Sequence, residues 1–387
     1  MNWQKSYDLY DIWGLRWIGN SKRAVYKGSA FGLLICAIVV LLDFVAPVFF
    51  RRLLGVKPAL FPAHVIAMRM EIRALTEVDR GSAVYSWFLS EISSVERHHD
   101  GCAGWGLPFD WFSKNGYYPA GSGFSTNTPY VMEALSRIIL SCPENSADAK
   151  RILNNTLSFF DALPRQVDTN ELLALSYAIA AEDRVVPNAN SYSALAYALL
   201  AVQGPELERA RCVDHVERIV RWLLREQSAE GYWRYYADNL PGNFVDGFHT
   251  CFIMKNLIKV SAILPELQSD IEPAVFRCWN WFRETMIDKS GLVKRFHQGK
   301  GSGLFKYEIY DQAEYLGLLV DFGLLDEAST FQTLVLGRFS RKGVLHCRID
   351  CLGRKWGAEF IRWGIAPFEL QLARFESARE KIGCVES

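Results

Sequence analysis

The chain has 387 residues, half of them apolar and 13% aromatic, with 43 basic and 43 acidic side chains. That length gives two or three ordinary domains or one large repeat-built domain. A formal net charge of zero argues against a nucleic-acid partner, which a basic excess would serve, and against an acidic disordered tail. The 12 Trp, 16 Tyr and 24 Phe suit an aromatic-lined cleft or a heavily packed helical core. Nine scattered cysteines, with no CxxC pair, read as reduced buried thiols rather than a disulfide or zinc framework.

The first element in chain order is Ala30–Phe50, 21 residues of apolar sequence interrupted by Asp43 and Pro47. Lys22, Arg23 and Lys27 precede it, and Arg51 and Arg52 follow. It starts too late for a cleaved signal. Two readings stand: a buried first helix of a large helical domain, or a membrane span or surface anchor. Beyond residue 60 the apolar spacing is helical. Helices are expected over Ala63–Thr76, Ala83–Val95, Thr128–Ser141, Ala147–Ala162, Thr169–Ala181 and Ser191–Val202. Six more follow over His215–Glu226, Phe248–Ile263, Glu272–Met286, Ile309–Phe322, Glu327–Arg338 and Ala366–Glu380. Pro129 suits a first helical turn, and Thr169 could cap the segment after it. Strand-like alternation is scarce, with Val344–Ile349 the best candidate.

A dozen or so similar helices without an interleaved strand pattern fit paired helical repeats. Gly/aromatic/basic loops recur at Trp105–Trp111, Gly231–Tyr236 and Gly291–Phe296. In a closed ring of helix pairs such loops gather at one end and converge on one cleft.

Gln227–Trp233 (QSAEGYW) matches one QxxxGxW repeat of the squalene-cyclase and prenyltransferase toroids. Trp105–Trp111 (WGLPFDW), Asn188–Asn190, Asp246–Thr250 (DGFHT) and Arg52–Pro58 together resemble a family of (α/α)6-toroid proteins associated with bacterial polysaccharide biosynthesis. The resemblance covers roughly residues 50–370 and loosens at Arg362–Ala366. It implies an all-α (α/α)6 toroid and a role in surface-polysaccharide metabolism. The expected organisation is an N-terminal extension over 1–50, the toroid over 51–375 and a tail over 376–387.

The candidate site residues follow from their chemistry. Trp105 and Trp111 flank Asp110: indole faces stack on sugar rings, and a neighbouring carboxylate can act as acid or base. Asp246 and His249 are three apart at a helix start, so they share one face, as a proton-transfer pair requires. Tyr307 could serve as an acid. Asp311 and Glu314, again three apart, could present paired carboxylates, while Arg295 and Lys294 could hold a uronate or phosphate, and Arg348 is a further binding candidate. Asn188 and Asn190 are caps or ligand donors, and Trp233 is a further stacking surface. His98-His99-Asp100 near Cys102 is a poor metal set, and the glycine-rich run at 299–303 lacks the full phosphate-loop arrangement. No metal or cofactor is expected.

The expected function is glycan modification by a hydrolase, lyase or uronate epimerase acting on an oligosaccharide or lipid-linked glycan. The expected place is the cytoplasm or the inner membrane face. A non-catalytic glycan-binding or assembly factor is the first alternative. A terpene cyclase or prenyltransferase is the second, and the absence of DxDD and DDxxD runs counts against it. The oligomeric state is left open.

Overall fold

The computed structural model describes residues 5–60, 62–76, 82–95, 98–99, 102–113, 116–180, 182–298 and 303–383. The histidine pair at 98–99 with its neighbours and the glycine-rich run at 299–302 lie outside the residues whose side chains are described. Fourteen α-helices carry the fold among the described residues. Three are N-terminal: α1 (Arg16–Tyr26), α2 (Ala30–Val45) and α3 (Pro47–Leu53). Then come α4 (Ala63–Thr76), α5 (Ser82–Val95), α6 (Thr128–Ser141), α7 (Pro143–Asp161), α8 (Pro187–Gln203) and α9 (Arg209–Glu226). The last five are α10 (Gly247–Ile263), α11 (Gln268–Thr285), α12 (Ile309–Asp321), α13 (Leu325–Phe339) and α14 (Ala366–Gly383).

Six of these form a closed inner ring. Each of α4, α6, α8, α10, α12 and α14 packs on the next, and α14 returns to α4. Outside them α5, α7, α9, α11 and α13 each pack on the inner helix that precedes them. The sequence decides which helix goes where. In α8, every residue from Pro187 to Ala201 is buried, as an inner helix surrounded by neighbours demands. In α9 a single stripe of Cys212, Val216, Ile219, Val220 and Leu223 is buried, and most of the arginines and acids between them face outward. That is the pattern of an outer helix.

Two expectations need correction. Residues 169–180, where a helix over Thr169–Ala181 is expected, are not helical. Strands Arg165–Asp168 and Leu173–Leu175 pair antiparallel, and the Thr169 hydroxyl accepts from the Leu172 amide at 3.0 Å to close their turn. The reason is tertiary: Asn190 on α8 accepts from the Leu175 N–H at 2.7 Å and donates to its carbonyl at 3.0 Å. These bonds draw the segment into extended form and override its local helical spacing.

The apolar stretch is likewise neither a buried helix nor one spanning segment. Ala46 and Pro47 break it, since proline has no N–H to continue α2. No helix among the described residues is long and apolar enough to cross a membrane. One side of α2 packs through Val39 beside Phe50, Ile12 and Ile18. The other side is open, with Phe31 at 71% and Leu41 at 59% exposure.

Candidate active site

The inner helices run in the same direction, and their first turns meet at one end of the ring. His64 of α4 lies against Tyr130 of α6, and Tyr130 against Tyr192 of α8. Tyr192 touches Phe252 of α10, while Phe248 of α10 stacks on Tyr310 of α12 at 5.2 Å. Tyr310 meets Trp363, just before α14. Over this aromatic floor passes the N-terminal strap, whose Tyr10 contacts Trp363 at 4.9 Å and Trp111 at 4.7 Å. Arg362 donates to Asp8, and Arg51 donates to Asp11 at 2.8 Å and to the Asp8 carbonyl at 2.9 Å, pinning the strap.

Polar chemistry is concentrated on the first turn of α10. Asp246 is its N-cap: one carboxylate oxygen accepts from the His249 amide at 3.3 Å, and the other lies 2.6 Å from His249 Nδ1. The cap therefore also orients the imidazole, and Nε2 makes no hydrogen bond among the described residues. Tyr235 packs edge-on to the ring at 4.6 Å and Phe248 covers it at 4.0 Å. Asp311, from the first turn of α12, accepts from the next amide, Phe248 N, at 2.9 Å. Gly247 makes this approach feasible, because a Cβ there would lie 2.5 Å from the Asp311 oxygen. Burial, then Glu308, then Asp246 push the Asp311 carboxyl well above its ordinary value. One site therefore holds an imidazole oriented by one carboxylate and a second carboxyl whose burial and acidic neighbours favour its protonated form.

Glu308 is the charge that sequence reasoning missed. It is 1% exposed at the end of the strand Phe305–Glu308, with Arg295 at 2.7 Å and Arg348 at 2.5 Å from one oxygen. The Trp363 indole donates to the other at 2.7 Å. Burial alone would raise this carboxyl, but Arg348 and Arg295 outweigh it and hold it below the usual range. Burial and Glu308 together push the Tyr10 hydroxyl up to about 12. The sequence offered only a slight signal for Glu308: an acid directly before α12, lying in the chain between Arg295 and Arg348, which were themselves singled out.

The structure thus brings Asp246, His249, Asp311, Arg295, Arg348 and Trp111 to one end of the ring. The two arginines are engaged with Glu308 there. It disperses the remaining candidates. Asp110 accepts from Tyr117 at 2.8 Å and from the Ala120 amide at 2.9 Å, tying its own loop. Tyr307 points away from Glu308 and donates to Asp288. Glu314, one turn below Asp311, pairs with Lys255 at 2.8 Å instead of facing it. Asn190 is the clamp on Leu175, whereas Asn188 Oδ1 is buried without a partner among the described residues. Trp105 is 2% exposed in the core. Trp233 is also 2% exposed, and its indole donates to the Leu223 carbonyl at 2.8 Å. Gln227 bonds the Gly231 and Ala274 carbonyls at 2.7 and 2.8 Å, so the QxxxGxW motif staples α9 to α11.

A cavity of about 460 Å³ enters the ring from its other end, lined among others by Glu71, Glu133, Arg137, Lys259 and Arg374. Its floor is Tyr130 and Lys255. Among the described residues no group of three His, Cys, Asp or Glu is placed to hold a metal ion.

No family model and no curated protein sequence matches the chain. Solved structures do match its fold. A cellobiose 2-epimerase from Bacillus thermoamylovorans aligns over 81% of this chain and 87% of its own, with 10% identity and a TM-score of 0.57. A D-mannose isomerase aligns over 82% and 86%, with 11% identity and a TM-score of 0.59. A GH76 alpha-mannanase from Bacteroides thetaiotaomicron aligns over 83% and 87%, with 10% identity and a TM-score of 0.57. At such identities the likeness speaks for architecture: the chain has the all-α (α/α)6 toroid fold.

Proposed function

We propose that the chain is a carbohydrate-modifying enzyme that works by proton transfer at the first turn of α10. The observation that carries this reading is the cluster of Asp246, His249 and Asp311. His249, with Nδ1 held by Asp246, is placed to take a proton through Nε2. Asp311, whose neutral form is favoured by burial and by two neighbouring acids, is placed to give one. An oriented base and a protonated acid in one site suit sugar epimerisation, isomerisation or β-elimination. The surrounding Phe248, Tyr235, Tyr310 and Trp363 offer faces for a sugar ring. Fold neighbours that include an epimerase and an isomerase are compatible with this chemistry.

The uronate variant is the less favoured form, because Arg295 and Arg348 are already engaged with Glu308. Hydrolysis remains the second reading, since Asp311 beside Asp246 pairs a neutral with an oriented carboxyl. The role in surface-polysaccharide biosynthesis rests on the sequence resemblance, and loss of polymer on gene deletion would test it.

The decisive experiment incubates the protein with neutral and acidic oligosaccharides in deuterated water and follows product masses. Epimerisation or isomerisation adds one deuterium without other change. Elimination yields an unsaturated fragment, and hydrolysis yields fragments that have gained water. Binding without any mass change for every saccharide, in wild type and in His249→Asn alike, refutes catalysis and favours the glycan-binding alternative.

A further inference from the structure

The described residues expose 21 large hydrophobic side chains, and ten of them fall between Phe31 and Leu53. On α2 the exposed positions Leu33, Leu34, Ile38, Val40, Leu41, Leu42 and Val45 join Phe31 across an arc of about 200° at 100° per residue. No polar side chain interrupts that arc. The only charge of α2, Asp43, is turned inward and paired with Arg51, which is itself fully buried. A helix of a water-facing surface has the opposite polarity. On α3, Phe49 and Leu53 extend the same patch at 68% and 70% exposure.

Charge singles out the same segment. Residues 12–60 carry seven basic side chains and one acidic one, in a chain that as a whole is balanced at 43 and 43. Arg23 and Lys27 are exposed at one end of the patch, and Arg52 and Lys57 at the other. Trp17 and Tyr26 are exposed at 52% and 47% beside them. The 16 residues of α2 rise about 24 Å, short of the ~30 Å hydrocarbon layer.

We propose that the α2–α3 face lies in the plane of an anionic bilayer surface, with its apolar arc among the acyl chains and its flanking cations at the headgroups. A fluid hydrocarbon layer can wrap an arc this wide, whereas a second protein surface covers roughly the 100° stripe of ordinary helix packing. The basic excess meets anionic headgroups, each cation adding to the attraction within a Debye length. The proposal does not depend on the catalytic reading.

Vesicle flotation of the full chain tests it. Wild type is expected to float with vesicles of phosphatidylcholine containing about one-third phosphatidylglycerol, and more weakly with phosphatidylcholine alone. The combined variant Leu34→Glu, Ile38→Glu and Leu41→Glu alters only exposed positions and should keep the native near-ultraviolet circular dichroism. Its partition is expected to fall more than about tenfold, while Leu207→Glu, on an outer loop, floats like wild type. The proposal is overturned if the triple variant floats as well as wild type. It is equally overturned if wild type does not float, and a dimer abolished by the triple variant would then assign the face to a second copy of the chain.

Discussion

Asp311→Asn should stabilise the protein while removing activity, and the stabilisation should grow with pH. The carboxyl is 1% exposed, lies beside Asp246 and Glu308, and is held well above its ordinary value of 3.8. In the unfolded chain it ionises normally. Between that ordinary value and its folded value, the folded state therefore binds one proton more than the unfolded state. Stability must then fall as pH rises through this window, by about 1.4 kcal/mol per pH unit. An asparagine keeps the acceptor for the Phe248 amide and has nothing to ionise. The gap between variant and wild type should open from about pH 4 and widen at that rate until Asp311 ionises in the folded state. Urea midpoints at three pH values across the weakly acidic range, each with its own slope, read the gap directly. A constant gap, or one that narrows as pH rises, refutes the protonated-acid assignment and with it the proposed proton donor.

Other substitutions probe the supports of the same end of the ring. Glu308→Gln leaves the half-buried Arg295 and Arg348 without their counter-charge and should cost up to about 3–5 kcal/mol, read as a fall in urea midpoint. Gly247→Ala drives a Cβ to 2.5 Å from the Asp311 oxygen and 3.0 Å from the Lys294 carbonyl. It should cost about 1–3 kcal/mol and reduce turnover. Asn190→Ala strips the Leu175 backbone of two bonds and should destabilise by about 2–4 kcal/mol in thermal or urea unfolding, with any residual activity unchanged per folded molecule.

The ring was legible in the sequence because its helices carry their own evidence. Thr128–Ser141 and Ala63–Thr76 begin and end where their apolar spacing and punctuation place them. The 165–175 hairpin was not legible, since the groups that extend it sit on α8. The Asp246–His249 pairing was readable from its spacing, because N-cap geometry is local. Its partner Asp311 could be named but not placed, as its contact is with an amide 63 residues away. Glu308 escaped because a lone acid gains meaning only when two arginines from separate loops converge on it. Trp105 and Trp233 were read as binding surfaces since their type suits sugars, yet burial depends on the whole ring.

The closure of α14 on α4 also sets an order of events during synthesis. The seam joins helices that begin at residues 63 and 366, so the other inner helices leave the ribosome before the ring can shut. Until then the inner faces of α4 and its neighbours stay open to water. Asp8 and Arg362, 354 residues apart, cannot fasten the strap before the same moment. A topology that defers its longest-range contacts to the end folds slowly and leaves partly built chains prone to aggregation. Any chain interrupted upstream of residue 366 would be a ring without a clasp.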